Sequence, residues 1–174
     1  RKRHPYIYMK PQAYTEFQPL KEVLVGRSYD KQFLDSLDIP FTTSTKSLMT
    51  HLLDETEEDY QHLIKVLKDL GVKVIRPQKS DYIKSNIMHQ LTGAYLMNPR
   101  DDQIVIDNKI LMGQWHTTIG KGYANALKDY KSSFLPDPIF KNLGCASIVR
   151  LGEDIIVDNN KFANTDLHVR RLKQ

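Results

Sequence analysis

An α/β fold assembled from a repeated β/α module is predicted by this 174-residue sequence, on three grounds. Runs of consecutive apolar residues at Val23-Leu24-Val25 and Ile104-Val105-Ile106 have the content of buried strands. Between them, Asp54 to Leu70 carries Tyr60, Leu63, Ile64, Leu67 and Leu70 at spacings of three and four, the apolar stripe of a helix. That helix leads through Gly71 into Val72 to Ile75, and hairpins at Ile104 to Met112 and Ser147 to Val157 then alternate with a second helical block.

Arg1 to Gln18 has no period, and its Tyr6, Tyr8, Tyr14 and Phe17 lie among Pro5 and Pro11. It reads as an extended arm over residues 1–18 that packs by its rings and covers a strand edge, ahead of a folded part over residues 19–174. Pro19 to Arg27 holds the first strand, ended by Gly26. Asp30 to Thr50 is expected to be an irregular connection, because of Pro40 and the polar run Thr42-Thr43-Ser44-Thr45. The helix from Asp54 is capped by Asp54 or Thr56. Its first turns carry Glu55, Glu57, Glu58 and Asp59 and its end Lys65 and Lys68, the order the helix dipole favours. Gly71 closes it, and Arg76-Pro77 stop the following strand. Ser80 to Gln90 is expected to be a short helix. Asn98-Pro99-Arg100-Asp101-Asp102 then forms a polar shoulder before the strand Gln103 to Asp107, a turn at Asp107-Asn108 and the return strand Lys109 to Met112. Trp115 to Thr118 cap a helix running to about Tyr130. Ala146 to Arg150 and Asp154 to Val157 pair around Leu151-Gly152-Glu153, and Phe162 to Leu172 makes a last helix.

The totals narrow the function. With 40% apolar residues a real core is available. A net charge of +4 and a pI near 9.0 are mildly basic, and much of the excess lies in the tails, at Arg1-Lys2-Arg3 and Arg170, Arg171 and Lys173. This is not the dense basic stripe of a dedicated nucleic-acid binder, so no nucleic-acid partner is expected. The single cysteine, Cys145, forms no intrachain disulfide and makes no cysteine-based zinc site. Together with the lack of a signal-peptide pattern or membrane-length apolar run, it leads to an expected cytoplasmic location with no membrane partner.

Candidate chemistry is sparse. The eight glycines make no phosphate loop and no GxGxxG, and none of the six histidines falls in a metal-ligand spacing with a cysteine. No metal or cofactor is therefore expected. Cys145 with a distant histidine is formally a nucleophile and base, but a lone cysteine between Gly144 and Ala146 at a strand start reads as core packing. Asp101 with Asp102 is a candidate site for a cation or a guanidinium, since a carboxylate accepts a forked pair of N–H bonds from a guanidinium.

Several stretches resemble the amidinotransferases. Glu16 to Arg27 (EFQPLKEVLVGR) is similar to that family's opening strand, and Leu63 to Pro77 (LIKVLKDLGVKVIRP) to its next helix and strand. Asn98-Pro99-Arg100-Asp101 resembles its PRD turn, QIVIDNKILMG its hairpin, and Ile148-Val149-Arg150-Leu151-Gly152-Glu153-Asp154-Ile155 its R-x-G-x-D-I strand. The resemblance implies an α/β propeller of ββαβ blades, here a partial one of about two to three of the family's five. It implies transfer of an amidino group from arginine, through a cysteine thiolate, to an acceptor amine. Arginine or another guanidino compound is the implied ligand. By the same resemblance, Asp101 binds the guanidino group, with Arg100 beside it as a second candidate substrate-binding residue. The family's F-D-A-A-D motif falls on Leu143-Gly144-Cys145-Ala146-Ser147, where Gly144 and Ser147 replace both acids. The family's histidine and nucleophilic cysteine lie beyond the matched stretch, and Cys145 is not in the nucleophile's position. The expectation is thus the N-terminal part of an amidinotransferase, inactive as this chain alone. The alternative is a non-catalytic binding or structural module. An open half-propeller leaves edges and faces uncovered, so a homo-oligomer or a complementary chain is also expected.

Overall fold

The computed structural model describes residues 10–36, 40–78, 97–113, 118–135 and 144–158. The expected helices at Ser80 to Gln90 and Phe162 to Leu172, and the two basic tails, lie outside these residues. The described residues fall into two compact units. One gathers residues 10–18, 100–113, 127–135 and 144–158, the other residues 19–36, 40–78, 97–99 and 118–126.

The second unit opens with strand β1 (Glu22–Leu24), helix α1 (Lys31–Ser36), helix α2 (Thr43–Asp69) and strand β2 (Lys73–Ile75). β1 and β2 pair in parallel, with Val23 opposite Val74, so the chain makes a β/α crossover as expected. α2 starts eleven residues before the expected Asp54. The polar run at 42–45 is its cap, not a loop. Thr42 is extended, and its hydroxyl accepts from the Thr45 N–H at 3.1 Å. At the far end Gly71 has φ 77°, its N–H donates to the Lys68 carbonyl, and the Val72 N–H donates to Leu67. These paired bonds require the left-handed residue that glycine provides. Only Ile64 of α2 is fully buried.

Glu57 and Arg76 hold α2 to the strands. Arg76 Nη1 and Nη2 donate to the two carboxylate oxygens at 2.7 and 3.0 Å, and Nε and Nη2 donate to the Gly26 carbonyl. The guanidinium lies 5.7 Å from the centre of the Tyr60 ring. The Ser28 N–H donates to Glu57, and the buried Ser28 hydroxyl to the Leu53 carbonyl. Burial alone would raise the Glu57 carboxyl, but the hydrogen bonds from Arg76, Gln61 and Ser28 and the Arg76 charge together outweigh it and leave the group below its ordinary value. Helix α4 (Thr118–Ala126) also belongs to this unit, and its Tyr123 is fully buried.

The first unit is built on hairpins. The shoulder is a single helical turn, α3 (Pro99–Asp102), with proline at its first position, where no N–H is needed. Strands β3 (Gln103–Ile106) and β4 (Lys109–Met112) pair antiparallel around Asp107-Asn108, and Asp107 takes φ 53°. A 3-10 helix (Lys128–Ser133) leads to β5 (Phe134–Leu135), which pairs in parallel with β4. The chain therefore runs strand, strand, helix, strand. Strands β6 (Ile148–Leu151) and β7 (Asp154–Val157) form the second hairpin, entered by a 3-10 turn at Cys145–Ser147. Ile104, Leu111, Cys145 and Ile148 make the shared core, with Ile106, Ile155 and Val157 packed on it.

The arm crosses both hairpin turns. Ala13 exchanges two 3.0 Å backbone bonds with Asp107, Thr15 bridges Leu151, and the Gly152 N–H donates to Tyr14. Backbone bonds make this contact together with the Tyr14 side chain, which hydrogen-bonds Asp107; Phe17 is 84% exposed, and Tyr6 and Tyr8 lie outside the described residues.

Candidate functional site

The mouth of β3 gathers the polar groups of interest. Arg100 is held by protein oxygens: Nη1 donates to the Cys145 carbonyl at 2.5 Å, Nη2 to the Ile148 carbonyl, and Nη2 also reaches Glu16 at 3.5 Å. Its geometry ties α3 to the turn before β6. Asp101 beside it is exposed. Asp102, one residue on, is only 2% exposed. Its carbonyl accepts from the Gly113 N–H at 2.8 Å, which extends the β3–β4 ladder by one rung. Its Oδ2 has no hydrogen-bond partner among the described residues, and neither has the Gln103 side-chain amide. Burial, with the Asp101 charge adding to it, pushes the Asp102 carboxyl up to about 7. Two adjacent residues thus treat water oppositely. The exposed carboxylate is free to meet a cation, and the buried one is near the midpoint of its titration at neutral pH.

Cys145 packs against this corner with no exposed surface. Burial pushes its thiol up to about 12; the Gly113 N–H works against this, Asp102 adds to it, and Arg100 opposes it. Nucleophilic attack needs the thiolate, and at neutral pH only about one such thiol in 10⁵ is ionised. Cys145 is a core residue, as its sequence context suggests. Gly144 and Ser147 flank it, and the Ser147 N–H donates to the Gly144 carbonyl at 3.1 Å.

Sequence reasoning gave no role to the pair that organises this corner. Glu16 takes a forked contact from Arg150, with Nε at 2.9 Å from Oε1 and Nη2 at 2.7 Å from Oε2. Arg150 Nη1 also donates to the Val105 carbonyl at 2.8 Å. The Arg150 hydrogen bond, against some burial, holds the Glu16 carboxyl below its ordinary value. Glu16, Arg100 and Arg150 come from three separate stretches quoted above for the resemblance, and the fold brings them into one cluster. Their presence in those stretches was the available signal. A cleft of 470 Å³ lies beside the cluster, lined by Tyr14, Ile106, Asp107, Arg150, Glu153 and Ile155 among others. Among the described residues no group of three or more histidine, cysteine, aspartate or glutamate side chains could hold a metal ion, and no helix is long and apolar enough to cross a membrane.

The chain is similar to known proteins in sequence and in fold. The mitochondrial glycine amidinotransferase of Xenopus laevis is 29% identical over 136 residues, 68% of this chain and 32% of that protein. The amidinotransferase SxtG of Microseira wollei, from the saxitoxin biosynthetic pathway, superposes with a TM-score of 0.58 and 17% identity over 93% of this chain and 60% of that one. The chain is similar to amidinotransferases. The inosamine-phosphate amidinotransferase StrB1 of Streptomyces griseus has the same TM-score, 0.58, at 18% identity, over 92% of this chain and 58% of its own. These structures share the α/β fold. The chain spans about a third of the length of the curated relative it matches. No family model matches.

Proposed function

We propose that this chain is the N-terminal part of an arginine:amine amidinotransferase, folded as two to three ββαβ blades of an α/β propeller, with Asp101 as one wall of its guanidino site. The succession β3, β4, α4, β5, with β5 parallel to β4, supports the blade, and the β6–β7 hairpin opens another. The observation that carries the site is the contrast at the β3 mouth. Arg100 pins the turn by two backbone carbonyls, Asp102 is buried, and Asp101 alone of the three presents its charge outward. A fixed carboxylate accepts two N–H bonds from a guanidinium and orients its carbon. On this reading the nucleophile is not Cys145, the chain's single cysteine, which is buried as a thiol.

Titrating the full chain with arginine, followed by backbone amide NMR shifts, tests this. Weak, saturable shifts around residues 98–103 are expected, lost in Asp101→Asn, with no ornithine released when glycine is added as acceptor. Shifts that survive Asp101→Asn, or none at all, remove Asp101 from the site. A second reading, a module that binds without catalysis, is favoured by one observation: the chain's single cysteine is buried at the position where Gly144 and Ser147 replace two family acids.

A further inference from the structure

We propose that the cleft between the two hairpin turns is a binding site for a small organic ammonium ion that carries an apolar body, such as an arylalkylamine. Ile106 from β3 and Ile155 from β7 give the cleft its apolar lining, and both also pack on the hairpin core. Tyr14 of the arm adds an aromatic ring. Asp107 and Glu153, one from each turn, supply the acids, and both are exposed. A space of 470 Å³ is of the size that holds small molecules. All of these residues belong to the hairpin unit. The site is separate from the one proposed at Asp101, because β3, about 13 Å long, lies between Asp101 and Asp107.

The choice of a cation rests on the balance of charge. Arg150 also lines the cleft, but its charge is met by the fork to Glu16, and its remaining contact goes to the Val105 carbonyl. Asp107 and Glu153 have no such partner. Glu153 makes no ion pair among the described residues. Asp107 accepts the Tyr14 hydroxyl, a neutral donor that leaves its negative charge in place. Two acids beside a ring and two isoleucines suit a ligand that is positive at one end and apolar along its body, and a ring face itself attracts a cation. The backbone points the same way. Asp107 alone among the described non-glycine residues has a positive φ, 53°. Glycine holds that conformation at the least cost, but it would turn the chain without a side chain. Aspartate keeps a carboxylate at the cleft, with its backbone held by two bonds to Ala13. A divalent cation fits less well, because no group of three ligating side chains stands here among the described residues and isoleucines offer it no oxygen. An anion would meet both acids.

Titrating the full chain with phenethylammonium at pH 7 and constant ionic strength, followed by backbone amide NMR shifts, tests this. Saturable shifts are expected at Ala13, Tyr14, Ile106, Asp107, Gly152 and Glu153, with a dissociation constant in the millimolar range that suits a ligand of this size. Residues 98–103 should not move. Phenethyl alcohol has the same body without the charge and should bind about fivefold more weakly; hydrocinnamate, with the charge reversed, should not bind. Glu153→Gln should weaken phenethylammonium about threefold and Glu153→Lys about tenfold. Both leave the fold unchanged, since the side chain is exposed and unpaired. Tyr14→Leu keeps an apolar wall but removes the ring, and should weaken binding about threefold. The absence of saturable shifts at these residues overturns the proposal, as does equal binding of the alcohol or the carboxylate, or binding indifferent to Glu153→Lys. Shifts centred on residues 98–103 overturn it too, by assigning the ligand to the Asp101 site.

Discussion

Arg76 with Glu57 and Arg150 with Glu16 make the same forked contact, yet the first closes a span of 19 residues and the second one of 134. Their exposures are alike, 12% and 28% for the first pair and 15% and 29% for the second. Their settings differ. Arg76 also caps the Gly26 carbonyl and lies over Tyr60, within a unit whose helix and strands are joined by short connections. Arg150 holds the arm, which otherwise meets the hairpins by two isolated bridges, a side-chain hydrogen bond between Tyr14 and Asp107 and the 3.5 Å contact of Arg100 with Glu16. Closing the longer loop costs about 1–2 kcal/mol more in chain entropy. The same chemistry is therefore local reinforcement in one unit and a long-range tether in the other, and the tether contributes less net stability.

The largest effect should come from a group that neither fork satisfies. Asp102 is raised to about 7 in the folded chain from 3.8, so between those values the folded state holds a proton that the unfolded state has lost. Stability then falls as pH rises from about 4 to about 7 and stays level above, with up to about 4 kcal/mol lost. Asp102→Asn should gain most of this at pH 8 and nothing at pH 3, read from urea midpoints. Equal pH slopes in the two proteins would show that Asp102 has a partner after all.

The forks come next. Arg76→Ala leaves Glu57 and the Gly26 carbonyl without their donor and should cost about 3 kcal/mol; a loss below that of Glu16→Gln would reverse the contrast drawn above. Glu16→Gln should cost about 1 kcal/mol after allowance for solvent screening. It should also raise hydrogen exchange at Ala13 and Asp107 while leaving α2 unchanged. The Glu16 carboxyl is lowered, so its contribution is present above the unfolded value of 4.5 and disappears as pH falls through the folded one. Thr42→Ala should have the smallest effect, up to about 1 kcal/mol, confined to exchange in the first turn of α2.

Much of the α/β reading was legible in sequence, because it rested on local signals. The apolar runs at 104–106 and 110–112 give the β3–β4 pairing, and Gly71 gives the helix stop, since each depends on neighbours within a few residues. The start of α2 was not legible. Thr42 to Thr45 has the composition of a loop, and only the extended conformation of Thr42 turns the run into a cap. The site shows the same limit more sharply. Asp101 and Asp102 are identical in type and adjacent, and what separates them is burial in the fold: Asp102 is 2% exposed and near enough to Cys145, more than 40 residues away, for its charge to act on the thiol. The union of Glu16, Arg100 and Arg150 was out of reach for the same reason, although each stood in a stretch already singled out.

The arm crossing both hairpin turns has a consequence in time. Glu16 is made 134 residues ahead of Arg150. At about 5–20 residues per second, roughly 7–27 seconds of synthesis separate the two. Over that interval the acid waits without its forked partner while β3 and β4 can already zip behind it, so the contact that clasps the hairpins is the one that records the completion of β6.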